Sequence, residues 1–255
     1  IILKKYLLKL KKYFQRKNMD IWKNKNYIKD LEILQTLIVK YNIEGNFKAI
    51  DDVIEILRAK EIVDYEFSDL EFCINGAIQG TLPRDETFNY CIVKFDNKVA
   101  ITNPITKNID NIHIYTLDFK IELYKSKFNK TEPRYSSWHL DKERNQENCK
   151  YTHPYYHFQF GGKKLEYIET GLGVLSSPRI PHPPMDIILA FHFILNNFYN
   201  NQRFTFIKQI LADPDYLRII KNSQERVWKD YFNAFQKNNI HNDYCIEKVF
   251  PLYTN

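Results

Sequence analysis

Between residues 65 and 126 apolar side chains recur at every second position, and this alternation limits the region to a sheet with one buried face. Leu117, Phe119, Ile121 and Leu123 alternate with polar residues without a break. Successive side chains of a strand point to opposite faces, so such a run buries one face and wets the other. Tyr65-Glu66-Phe67 opens the region. Phe72 to Ala77, Tyr90 to Phe95, Val99 to Thr102 and Ile112 to Lys125 read as further strands. Asp96-Asn97 is a compact turn signal and predicts a hairpin between two of them. One-sided strands in sequence make an antiparallel meander.

The flanks change period. Tyr27, Leu31, Leu34, Ile38 and Tyr41 fall on one helical face, as do Ile50, Val53, Ile54 and Leu57 within a second helix near 49–62. Asp51 and Asp52 occupy its first turn, where the helix dipole favours acids. Residues 128–184 read as an irregular, polar and aromatic stretch, broken by a strand at Tyr156 to Phe160 that ends at Gly161-Gly162. Met185 to Tyr199 follows as an apolar helix with Pro183 and Pro184 suited to its first turn. Phe204 to Leu211 and Pro214 to Gln236 extend the helical part, with a break and restart at Asp213-Pro214. The class is α+β, an antiparallel β-meander flanked by N-terminal and C-terminal helices. We expect residues 19–255 to form a single domain with a helical C-terminal third.

The net charge is +6, yet seven basic residues and no acid lie within residues 1–18, so the rest of the chain is close to neutral. Leu3, Tyr6, Leu7, Leu10, Tyr13 and Phe14 share one helical face of that leader. It reads as a helix for membrane-surface contact, as a nucleic-acid arm, as an ordinary docked helix, or as an extension upstream of a start at Met19. No run approaches the about 18 apolar residues of a transmembrane helix. Cys73, Cys91, Cys149 and Cys245 are scattered, with no paired spacing, which predicts a reduced, cytoplasmic protein without a disulfide framework. The nucleotide-loop, zinc-protease and serine-hydrolase motifs are missing from the sequence, and no cofactor is expected.

Five of the seven histidines, His139, His153, His157, His182 and His192, lie between residues 139 and 192. Prolines beside His153 and His182 fix the backbone there. Three chemistries compete for this cluster. A metal site is one, but on a strand His153 and His157 would stand about 13 Å apart, too far to share an ion, and no metal is expected. Metal-free acid–base catalysis on a phosphodiester is the second, with His157 and His153 as acid and base, and His139 and His182 in support. Arg179 or Lys163 would stabilise the phosphate, while Trp138, Tyr155 and Tyr156 would stack unpaired bases. An RNA substrate brings its own 2′-hydroxyl nucleophile. In the third the histidines cap turns and satisfy buried carbonyls, as expected for His192 inside the apolar helix.

The run Tyr135-Ser136-Ser137-Trp138-His139, followed by His153-Pro154 and His157, resembles the Tyr-Ser-aromatic-His and Pro-His-His pattern of TumE-like bacterial toxins. The likeness spans residues 135–157 and implies action on RNA or translation, with His139, His153 and His157 at the matching positions. The segments His153 to Gly162 and Pro178 to Asp186 resemble bacterial domain-of-unknown-function families found among mobile-element and anti-phage-defence genes. The element order is also similar to that of ubiquitin-conjugating enzymes, whose catalytic cysteine follows a His-Pro motif. Here Cys149 precedes His153 and the next cysteine is Cys245, so only the fold order is shared. The expectation is a bacterial toxin- or defence-type protein acting on RNA, a metal-independent ribonuclease using the histidine cluster. The alternative is a non-catalytic interaction component that binds an operon-encoded protein partner.

Overall fold

The computed structural model describes residues 22–76, 78, 86–103, 105–106, 109–146, 149, 152–161, 179–236 and 243–251. Helix α1 (Asn24–Lys40) turns its buried Tyr27, Leu31, Leu34 and Ile38 inward. It stops at Asn42, whose φ of 50° lets the Ile43 N–H donate back to the Ile38 carbonyl at 3.0 Å. That is the glycine-type helix stop, served here by asparagine. The two-residue strand β1 (Gly45–Asn46) and helix α2 (Lys48–Arg58) follow. The meander is β2 (Asp64–Asn75), β3 (Tyr90–Ile101), β4 (Ile112–Tyr124), β5 (Arg134–Lys142) and β6 (Tyr156–Phe160), closed by a short β7 (Ile180–Pro181). All seven strands make one antiparallel sheet in sequential order, so the α+β meander with flanking helices is what the chain forms. Helices α3 (Ile187–Phe198), α4 (Phe206–Leu211), α5 (Pro214–Val227), α6 (Lys229–Phe232) and α7 (Ile246–Val249) complete it, with a 3-10 turn at Asn233–Phe235.

The alternation sorts the sheet into two faces. On one face Phe72, Phe95, Phe119 and Phe158 form a ladder of rings across the strands, neighbouring centroids lying 5.8–6.4 Å apart. Helix α3 lies on this ladder, Phe191 against Phe72 at 5.1 Å and Phe193 against Phe119 at 5.3 Å. The other face carries cross-strand ion pairs, Lys98 on Glu66 and Lys94 on Glu71, beside a small apolar cluster of Tyr90, Ile92 and Tyr124.

Three expectations need correction. Residues 128–184 hold a further full strand before Tyr156, since β5 pairs with β4 and β6 on either side. Asp96 and Asn97 make no turn, since β3 runs unbroken through them. Their polar groups serve a β-bulge instead. The register of β2 slips between Phe67 and Leu70, Asp69 takes φ 56°, and its N–H donates to the Asp96 carboxylate at 2.9 Å. Asn97 is buried and accepts from the Tyr65 hydroxyl at 2.7 Å while donating to the Thr116 carbonyl at 2.9 Å. Pro183 and Pro184 precede α3 instead of entering it, because Asp186 is the N-cap and accepts from the Leu189 N–H at 3.1 Å. The C-terminal end of the expected strand Phe72 to Ala77, the leader 1–18 and His241 lie outside the described residues.

Asp186 also joins a charged network between helices. It accepts from the Ser223 hydroxyl at 2.5 Å, and Arg226 stands 3.5 Å from it. Arg226 donates to Asp30 at 2.7 Å and lies over the Tyr27 ring at 4.7 Å. One guanidinium thereby joins α1, α5 and the start of α3. Asp213 caps α5, accepting from the Asp215 and Tyr216 N–H groups, with Lys40 and Tyr41 bonded to its other oxygen.

Hydrogen bonding from Lys40 leads the causes that hold the Asp213 carboxyl down at about 2. Its stabilisation is therefore fully present above the ordinary carboxylate range and is lost as pH falls through that value. We expect Asp213→Ala to cost about 1–2 kcal/mol in urea unfolding near neutrality, with the gap to wild type narrowing as pH drops from about 4 towards 2.

Candidate active site on the polar face of β5 and β6

Strand alternation places the site. On β5, Ser137, His139 and Asp141 point one way, and Trp138, Leu140 and Lys142 the other. Register pairs Asp141 with His157 and His139 with Gln159. These four side chains form a two-by-two block on the face away from the aromatic ladder. Asp118 of β4 is the cross-strand neighbour of His139 on its other side. His139, His157 and Gln159 are buried, and Asp141, with its side chain 44% exposed, marks the open side.

A buried carboxylate fixes the opposite face. Asp110, in the β3–β4 connection, pairs with Lys142 at 2.5 Å, both side chains being 3% exposed. The same oxygen accepts from the Tyr156 hydroxyl at 2.6 Å, and the other from the Ile112 N–H at 3.0 Å. The Asp110 N–H donates to Asp243 at 2.6 Å. Lys142 further donates to the Ile112 carbonyl and lies under the rings of Tyr155 and Tyr156.

This anchoring corrects two site expectations. Tyr155 and Tyr156 are 6% and 0% exposed, their rings enclosed with Tyr244 and, for Tyr156, Tyr115. Neither presents a face to a nucleic-acid base. His153 and His157 are also far closer than an extended strand allows. Strand β6 begins only at Tyr156, the chain bends at Tyr155, and the two imidazoles stand edge to face at 5.2 Å. The bend is held by backbone bonds from Tyr155 N–H to the Lys248 carbonyl and from Glu143 N–H to the Tyr155 carbonyl, each 2.8 Å.

The other candidates divide by face. Trp138 lies on the helical side, stacked on Phe158 at 5.2 Å. His182 is on that side too, its ring 5.5 Å from Phe158 and its Nδ1 donating to the Pro183 carbonyl at 2.7 Å. It does not join His157. His192 contacts the Tyr216 hydroxyl through Nδ1 at 2.9 Å within the helical layer. Arg179, just before β7, is close enough for its charge to act on His157. Its Nε and Nη1 are buried and have no hydrogen-bond partner. Lys163 lies outside the described residues.

The proton positions on His157 follow from its partner. Nδ1 faces the Pro154 carbonyl at 3.2 Å, and a carbonyl only accepts, so the neutral ring carries its proton on Nδ1 and a lone pair on Nε2. Burial pushes this imidazole down to about 4, against the carbonyl bond, with His153, Arg179 and His139 adding repulsion. His139 contacts Asp141 through Nε2 at 3.2 Å and the Gly161 carbonyl through Nδ1 at a longer 3.4 Å. Gly161 has φ 101°, a conformation that favours glycine at this strand end.

One grouping escaped the sequence. Glu143, Cys149 and His153, all half-buried, bring one potential metal-ligand atom each to within 4.8 Å of one another. Their spacing matches no motif, because the β5–β6 connection folds them together. Burial, and then the nearby Glu143 charge, raise the Cys149 thiol, which argues against a resting thiolate nucleophile there.

No protein-family model, curated protein or solved structure matches this chain. Among the described residues no helix is long and apolar enough to cross a membrane.

Removing the Asp110 carboxylate strands a buried ammonium. We expect Asp110→Ala to lose about 3–5 kcal/mol in chemical denaturation. The histidines set a second expectation. Burial lowers His157, His182 and His192 alike, so each takes up a proton more readily when unfolded. Their contribution is complete above the ordinary value of 6.5 and falls as pH drops from there through about 4. The denaturation midpoint, measured with chelator present, should fall between pH 7.5 and 4.5, and His157→Gln should shrink that fall.

Proposed function

We propose that this chain is a toxin- or defence-type protein that cleaves RNA by histidine acid–base catalysis. The observation that carries the reading is the neutral His157, its Nε2 lone pair fixed by the Pro154 carbonyl, with the Arg179 guanidinium near enough for its charge to act on it and its Nε and Nη1 buried and unpartnered. His157 Nε2 takes the proton of the 2′-hydroxyl as that oxygen bonds to phosphorus. The bond from phosphorus to the 5′-oxygen breaks, and His139, diagonal to His157 and held by Asp141, protonates the leaving oxygen. Arg179 holds the non-bridging oxygens. The products are a 2′,3′-cyclic phosphate and a 5′-hydroxyl, with no oxidant or cofactor consumed. A bound phosphate opposes the positive charges around His157 and raises its proton affinity as the reaction needs.

A second reading, a non-catalytic partner-binding component, is favoured by Leu217, Phe232 and Phe235, each about half exposed on the C-terminal helical region.

The test uses the purified full chain and a mixed pool of structured and single-stranded RNA. Wild type should cleave, and His157→Ala and Arg179→Ala should each lose about 10²–10⁴-fold in rate. His192→Gln, altered within the helical layer, should keep the rate. Equal rates in wild type and His157→Ala would remove the catalytic reading. A stable complex with an adjacent gene product, without cleavage, would put the second reading in its place.

A further inference from the structure

We propose that Glu143, Cys149 and His153 bind a divalent transition-metal ion of the zinc class, with water in the fourth position. The inference goes beyond RNA cleavage and does not depend on it.

The geometry comes first. The three ligand atoms already lie within 4.8 Å of one another. Tetrahedral zinc, with bonds of about 2.0–2.3 Å, needs its ligands roughly 3.3–3.8 Å apart. Side-chain adjustments on the order of 1 Å close that gap. A thiolate, an imidazole and a carboxylate make a borderline-soft set, which favours zinc-type ions over magnesium or calcium. Three protein ligands leave a coordination position for solvent.

The backbone supports the arrangement. Glu143 follows β5 and is tied to Tyr155 by the 2.8 Å backbone bond. Gln146, between Glu143 and Cys149, donates from its side-chain amide to the His153 carbonyl and, at 2.9 Å, to the Lys248 carbonyl. Glu143 and the backbone at His153 are therefore held independently of any ion, and less ordering of these two is needed on binding.

The same three residue types also make a cysteine nucleophile with its base. In such a pair the thiol proton is directed at the imidazole. Here the Cys149 thiol faces the Asn145 carbonyl at 3.6 Å. The four cysteines are free, so no disulfide claims Cys149. An ion at this place would staple the end of β5 to the entry of β6 and hold His153 against His157.

The test takes the tag-free full chain, stripped by dialysis against a chelator and titrated with cobalt(II). We expect a thiolate-to-cobalt charge-transfer band in the near ultraviolet that saturates at one ion per chain. Cys149→Ser should abolish the band, His153→Ala and Glu143→Gln should weaken binding at least tenfold, and Cys245→Ser should leave it unchanged. Zinc should protect Cys149 of the wild type from alkylation, read by mass spectrometry, which needs no variant. No band with the folded chain, a band that survives Cys149→Ser, or alkylation indifferent to zinc would overturn the proposal. A chain that binds cobalt but leaves RNA intact keeps this site and loses the proposed activity; one that cleaves RNA without binding does the reverse.

Discussion

The Asp110–Lys142 ion pair is the constraint on which the rest of the site rests. Two charges that are 3% exposed carry a large desolvation cost, met only where geometry satisfies nearly every donor and acceptor. Tyr156, Ile112 and the carbonyl of Ile112 supply those partners. The consequence is positional. Lys142 ends β5 and Tyr156 begins β6, and the register pairs them directly. Once both point into the charged pocket, strand alternation forces Asp141 and His157 to the opposite face. A one-residue slip would carry His157 into the aromatic layer and leave Asp110 without its partners.

The two faces of the sheet divide the labour. The ring ladder and α3 supply apolar burial on one face, which also encloses the Asp110–Lys142 pair, and the opposite face of β5 and β6 carries the histidine block. The lysines of that face are matched to neighbouring glutamates along β2, β3 and β4, so little unpaired positive charge lies there. Just before β7, Arg179, whose Nε and Nη1 are buried and without a hydrogen-bond partner, is near enough for its charge to act on His157. On the proposed function, contact with an RNA phosphate would be local to this block, with a correspondingly small release of counterions.

The meander and most helices were legible because their signals are periodic. The alternation of Leu117, Phe119, Ile121 and Leu123 and the Asp213-Pro214 restart depend on local chemistry alone. Strand β5 was not legible, since Ser136, Ser137 and Asp141 do not resemble a half-buried strand until β4 and β6 are known to flank it. Asp96-Asn97 misled because turn-forming side chains also serve bulges, and only the Asp69 backbone shows which role applies. The sequence clustering singled out His139 and His157, and pairing of β5 with β6 puts both on one face. The separation of His153 from His157 was wrong because it assumed an extended strand through the bend at Tyr155. Tyr155 and Tyr156 looked available for stacking until the buried Asp110, more than forty positions earlier in sequence, was seen to claim Tyr156. The convergence of Glu143 with Cys149 and His153 is a property of a folded connection, which no spacing encodes.

The central claim is that the 2′-hydroxyl of RNA attacks while His157 takes its proton. The chemistry of the cut ends reports this directly. An RNA of defined sequence, incubated with the full chain and analysed by mass spectrometry, should yield fragments ending in a 2′,3′-cyclic phosphate and beginning with a 5′-hydroxyl. The same sequence with a single 2′-deoxy nucleotide at the cleaved position should stay intact there. Fragments with a 5′-phosphate and a free 3′-hydroxyl, or cleavage that ignores the missing 2′-hydroxyl, would contradict the account.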